Sequence, residues 1–147
     1  MNHEYYIKRC IEISKQGIGT TRPNPSVGAV LVVGNKIIGE GYTSPYGGNH
    51  AEVNAISSVK NKEDLKKATI YVTLEPCTMC AGAISNARIG RVVFGASDIK
   101  GGAVENGVKF FEQSTCHHRP EVTGGVLAEE SAAMLKAFFK ARRAKKR

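Results

Sequence analysis

Three short runs of apolar, β-branched residues constrain the fold of this 147-residue chain more than any other feature. They are Gly-Ala-Val-Leu-Val-Val at 28–33, Thr-Ile-Tyr-Val-Thr-Leu at 69–74 and Arg-Val-Val-Phe-Gly at 91–95. Runs this short and this apolar suit strands covered on both faces. The segments around them carry helical signals instead. From Glu4 to Gln16, Tyr6, Ile7, Cys10, Ile11 and Ser14 recur at spacings of three and four, the mark of an amphipathic helix. Asn49 can cap a helix from His50 to about Ser58, with Val53 and Ile56 on its buried side. An alanine-rich helix is expected from Cys77 to about Asn86, and a last one from about Glu129 into the basic tail. The turn at Gly34-Asn35 sends 36–42 back along 28–33 as an antiparallel hairpin. Lys60 to Lys67 connects, and a fifth strand falls around Glu121 to Val126. A hairpin followed by strand–helix alternation predicts a mostly parallel sheet with helices on both faces.

At this length one well-cored domain is expected, spanning 1–147. No apolar run approaches the ~20 residues that cross a bilayer, so no membrane partner is expected. Met1 to Tyr6 lacks the basic-then-apolar pattern of a secretory signal, which makes the cytoplasm the expected location. The net charge of +8 is concentrated at one end. Residues 136–147 hold seven cations (Lys136, Lys140, Arg142, Arg143, Lys145, Lys146, Arg147) and no acid, leaving 14 − 13 = +1 for 1–135. Such a tail can grip phosphates or remain a solvated helix end whose cations suit the helix dipole.

The chemistry-bearing residues lie in two clusters. His50-Ala51-Glu52 and Pro76-Cys77-Thr78-Met79-Cys80 together match the H-x-E and P-C-x-x-C pattern of zinc nucleobase deaminases. A catalytic zinc takes three protein ligands and leaves one position open, and His50, Cys77 and Cys80 make three. Cys77 and Cys80 sit three apart at a helix start, where exposed amides favour thiolates. Glu52, two residues past His50, is then placed to carry protons in replacing a ring amino group by oxygen, with backbone groups of Ala51 and Pro76 orienting the reactants. The alternatives are a redox pair, which leaves His50 and Glu52 unused, and half of a four-ligand structural zinc site, which has no second Cys-x-x-Cys to complete it.

At these residues the chain resembles the cytidine deaminase superfamily, which implies a three-layer αβα fold with a five-stranded mixed sheet, Zn2+ as cofactor and a homodimer. From Cys77 onward it looks like bacterial tRNA-specific adenosine deaminases, through Pro76-Cys-Thr-Met-Cys-Ala-Gly-Ala83, Ala87-Arg-Ile-Gly-Arg-Val-Val-Phe-Gly-Ala96 and Gly125-Val-Leu-Ala-Glu-Glu130. That likeness implies ribose contact by Asp98. It also implies use of Phe139, Lys140, Arg142 and Arg143 on a tRNA anticodon arm. From Tyr5 to Pro76 the chain is similar to the deaminase half of the bifunctional riboflavin-pathway enzyme, through Arg22-Pro-Asn24-Pro-Ser-Val-Gly-Ala29 and His50-Ala-Glu-Val-Asn-Ala55, which implies that Asn24 meets a ribosyl group. That enzyme has a longer, phosphate-gripping loop between its zinc cysteines and a reductase domain, and neither is present here. The adenosine enzymes have Asn where Thr43 stands and a longer segment before the zinc histidine. The expected reaction is adenosine to inosine in tRNA. The alternatives are deamination of a small purine or pyrimidine, and a non-catalytic RNA-binding module.

Two further features call for a role. His117 and His118 beside Cys116 invite a second metal, but neighbours on an extended segment point to opposite faces, so a loop lining a pocket or an interface is expected. Phe110 and Phe111 are expected to pack in the core or an interface rather than stack on a base.

Overall fold

Side-chain alternation in the three apolar strands determines the layering. A computed structural model describes residues 2–21, 25–45 and 47–145, with side chains through 137. Strands β1 (Gly28–Val33), β2 (Lys36–Tyr42), β3 (Thr69–Leu74), β4 (Arg91–Ala96) and β5 (Glu121–Thr123) form one sheet in the order β2-β1-β3-β4-β5. Ala29, Leu31, Ile70, Val72, Val92 and Phe94 point to one face, where helices α2 (Ala51–Ser58) and α3 (Thr78–Asn86) cover them with Ala51, Ala55, Ala81 and Ile84. Val30, Val32, Tyr71 and Val93 point to the other, beneath Tyr6, Ile7, Cys10 and Ile13 of α1 (His3–Ser14). Helix α4 (Ala128–Lys145) shares that second face, with Ser131 against Gly95 of β4. The result is a mixed sheet between two helical layers. Among the described residues, no helix is long and apolar enough to cross a membrane.

The sheet is evenly mixed, not mostly parallel. β3 pairs with β4, and β4 with β5, in parallel, but β1 is antiparallel to both β2 and β3. The crossover from β2 through α2 to β3 does join two strands of the same direction, as strand–helix alternation requires. It skips a place, however, and β1 occupies that place in the opposite sense because the Gly34-Asn35 hairpin reverses it. Several boundaries also move. The first helix ends at Ser14 and tightens into a 3-10 turn, Lys15–Gly17, and Lys62–Lys67 is another 3-10 turn. β5 stops at Thr123, before a left-handed Gly125 swings the chain towards α4.

Helix α2 carries two of the chemistry-bearing residues, and β2 sets its height above the sheet. A Cβ on Gly41 would lie 2.5 Å from the Ala55 amide nitrogen and 2.7 Å from the Ala51 carbonyl oxygen. Both neighbours are backbone, so neither can rotate away. The helix sits where it does because glycine is there. Gly41→Ala should therefore lift α2 and destabilise the protein by about 1–3 kcal/mol, the usual cost of overpacking. A lower midpoint in thermal or urea unfolding checks this, and an unchanged midpoint would show that α2 is free to shift.

Candidate active site and metal centre

The parallel strands β3 and β4 end at the same edge of the sheet, and antiparallel β1 begins there, which is where open α/β sheets bind ligands. The N-termini of α2 and α3 meet over this edge. His50 is the N-cap of α2 and Cys77 the N-cap of α3, both extended, at φ −71°, ψ 164° and φ −75°, ψ 175°. Neither side chain caps its own helix. Asn49 is therefore not the N-cap; its carbonyl instead accepts the Ser44 amide at 3.0 Å. Two cap positions left unused by their side chains free an imidazole and a thiol to face each other.

His50 Nδ1 lies 3.6 Å from Cys77 Sγ and 3.4 Å from Cys80 Sγ. Tetrahedral zinc, with sulfur at about 2.3 Å and nitrogen at about 2.0 Å, spaces such donors roughly 3.5 Å apart, so the three residues fit that ion. Among the described residues they are the group of His, Cys, Asp or Glu whose ligand atoms all fall within 4.8 Å of one another. His118 turns one ring nitrogen to the backbone. Its Nε2 is 2.7 Å from the Ile89 carbonyl, and with His117, Cys116 and Arg88 it lines a separate cavity at the far end of α3.

Charge is distributed unevenly in this site. A hydrogen bond from the Cys80 thiol does most to pull the Cys77 thiol down to about 5, against a burial penalty and with help from the Cys80 amide and His50. Cys80 is held well up, as donor to Cys77 and by burial. Glu52 is 4% exposed, and burial raises its carboxyl to about 7, with the neighbouring Cys77 thiolate adding to the rise. A carboxyl titrating near neutrality can both take and return a proton.

His50, Glu52, Cys77 and Asp98 line a cavity of about 150 Å³ together with Pro25, Val27, Thr43, Leu74, Glu75 and Gly101. Cys80 is buried behind them. Of the backbone contributors expected beside them, Ala51 is fully buried, and the Pro76 carbonyl is engaged by the Ala103 amide at 2.9 Å. Asn24 and the side chains of Phe139, Lys140, Arg142 and Arg143 lie outside the described residues. Sequence reasoning missed Glu75 and assigned Thr43 no contact. Thr43 Oγ1 accepts the Val27 amide at 2.9 Å, tying the start of β1 to the end of β2. Glu75 is a buried carboxylate directly after the apolar strand β3; the sequence shows its place beside Leu74 but not its burial. Phe111 is buried and Phe110 packs beside it against the core, as expected.

Residues 1–96 match the model of the cytidine and deoxycytidylate deaminase zinc-binding region. The chain belongs to this deaminase family. It is 47% identical over 129 residues to the tRNA-specific adenosine deaminase of Agrobacterium fabrum, covering 83% of this chain and 85% of that one. It is 40% identical over 146 residues to the diaminohydroxyphosphoribosylamino-pyrimidine deaminase of Buchnera aphidicola, covering 95% of each. A solved tRNA:A34 deaminase, studied for A-to-I editing at the wobble position of transfer RNA, superposes with a TM-score of 0.76 at 39% identity, over 89% of this chain and 99% of that one. Both sequence likenesses run through the middle of the chain, so neither is confined to one half.

The buried carboxyl of Glu52 has a consequence for stability. Its folded value, about 7, lies above the ordinary 4.5, so the metal-free fold loses stability as pH rises from about 4.5 to 7 and stays weakened above that. Glu52→Gln removes the penalty. In chelated protein the variant should unfold at a higher temperature than the parent at pH 8, with the gap closing at pH 4. An equal gap at both values would show that Glu52 is not desolvated.

Proposed function

We propose that this protein is a zinc-dependent hydrolytic deaminase that converts adenosine to inosine in tRNA. His50, Cys77 and Cys80 hold the zinc and Glu52 moves the protons. The observation that carries the substrate assignment is that only Thr78-Met79 separates the two cysteines, with α3 starting at Thr78. No loop rises there to hold a substrate phosphate. Among the described residues lining the cavity, none is Lys or Arg. The described lining therefore offers a small phosphorylated pyrimidine no cation, whereas a base within RNA is held by contacts outside the pocket. The Agrobacterium relative supports the same reading.

Zinc, when bound, supplies Lewis-acid activation of the attacking water. The chain does the rest. Water adds at the ring carbon bearing the amino group, Glu52 carries a proton to a ring nitrogen and then to the departing amine, and a keto product and ammonia remain. The cavity shields this exchange from bulk water, and Asp98 addresses the ribose at its rim. The working protein is one domain over 1–147, a homodimer in the cytoplasm. Its Phe139, Lys140, Arg142 and Arg143 meet the anticodon arm. A second reading, deamination of the riboflavin-pathway pyrimidine, is favoured by the Buchnera match over 95% of each chain.

Zinc-loaded protein should release ammonia from an anticodon stem-loop and not from free adenosine, guanine, cytosine or the riboflavin pyrimidine; turnover of small molecules alone would reject the tRNA assignment. Glu52→Gln should retain zinc and lose at least a hundredfold in kcat, in line with removal of a proton carrier. Truncation after Leu135 should weaken binding to the stem-loop and flatten its salt dependence. An unchanged salt slope would make the tail a solvated helix end.

A further inference from the structure

We propose that Glu75 is a positioning residue for the pocket wall that meets the substrate sugar, its carboxylate clamping residues 98–106 onto the end of β3 and so setting where Asp98 stands. This rests on the role given to Asp98 above. Glu75 Oε2 accepts three successive amides, those of Val104 at 3.0 Å, Glu105 at 2.9 Å and Asn106 at 3.0 Å. Oε1 accepts the Asp98 amide at 3.1 Å and Asn106 Nδ2 at 2.7 Å. All five donors are neutral N–H groups. They converge on a carboxylate that is 2% exposed, at both ends of one loop.

A carboxylate buried this deeply is costly unless its lone pairs are filled, so an apolar residue would serve mere packing better. What the carboxylate supplies instead is geometry. The three amides on one oxygen form a nest that holds 104–106, and the bond to the Asp98 amide ties the other end of the loop to the same side chain. Asp98 Oδ1 then accepts the Lys100 and Gly101 amides at 3.2 and 2.9 Å, which turns the chain along the cavity wall. Gly102 makes the close approach possible, since a Cβ there would lie 2.6 Å from Glu75 Oε2. The metal-binding trio stands on α2 and α3, and none of the five bonds reaches it. Loosening the clamp should therefore weaken substrate binding and spare the chemical step.

The test uses the full-length, zinc-loaded protein. In Glu75→Gln an NH2 group faces amide donors where an oxygen stood. KM should rise about tenfold or more, with kcat within about threefold and zinc content unchanged, the signature of lost binding common to ground and transition states. Gly102→Ala disturbs the clamp from the loop side and should do the same. Asn106→Ala removes one bond of five and should raise KM less. Combined with Asp98→Ala, Glu75→Gln should add little further, because both act through one contact. Unchanged KM, a fall in kcat together with zinc, or full additivity with Asp98→Ala would overturn the proposal. Amide exchange at 104–106 as slow in Glu75→Gln as in the parent would also overturn it, whatever the substrate. If the wild type turns over only small molecules, the tRNA assignment fails, and the KM comparison on those molecules still decides the role of Glu75. If Glu75→Gln does not fold, Gly102→Ala and Asn106→Ala decide it.

Discussion

The approach of two helix N-termini over the carboxyl ends of β3 and β4 organises everything that is chemical in this molecule. Helix starts present unpaired N–H groups and partial positive charge, so a thiolate there is favoured before any metal arrives. Short helices packed directly on a sheet give the approach its precision: α2 is pressed onto β2 until only glycine fits at 41, and α3 begins at the residue after Cys77. Because His50 and Cys77 are caps in backbone geometry only, their side chains are available to a third party. A conventional Ser or Asp cap at either place would have served the helix and lost the ligand.

The site also holds two buried carboxyl groups with opposite fates, and the difference lies in donors rather than depth. Glu52 and Glu75 are both nearly inaccessible. Glu52 has burial and a nearby thiolate working against its charge, so its carboxyl titrates near 7 and can exchange protons. At Glu75 burial likewise pushes upward, but the amides of Asp98, Asn106 and Val104 and the Asn106 side chain outweigh it and hold the carboxyl below its ordinary value. Burial thus favours the neutral form of Glu52, while converging amide donors favour the charged form of Glu75.

Most strands were legible because their apolar runs are bounded by glycine and turn residues, and β1 and β3 begin and end where the pattern places them. The hairpin was legible from Gly34-Asn35. The sense of β1 relative to β3 was not, since no residue in either strand records which neighbour it will pair with. The metal trio was legible because each half-motif is local: His50 with Glu52, Cys77 with Cys80. Glu75 was overlooked for the complementary reason. Its partners lie 23 to 31 residues away, in a stretch whose Gly101-Gly102 and Glu105-Asn106-Gly107 read only as loop.

Local chemistry therefore nominated the residues proposed to bind zinc and to move a proton, because ligand type and short spacing along one chain are enough to single them out. Only the folded sheet decided that the two clusters meet, that His50 rather than Asn49 stands at the head of α2, and that a carboxylate two residues before Cys77 faces the opposite wall. Those outcomes depend on which strand lies beside which and on how closely backbones approach, and such quantities exist only once the chain is packed.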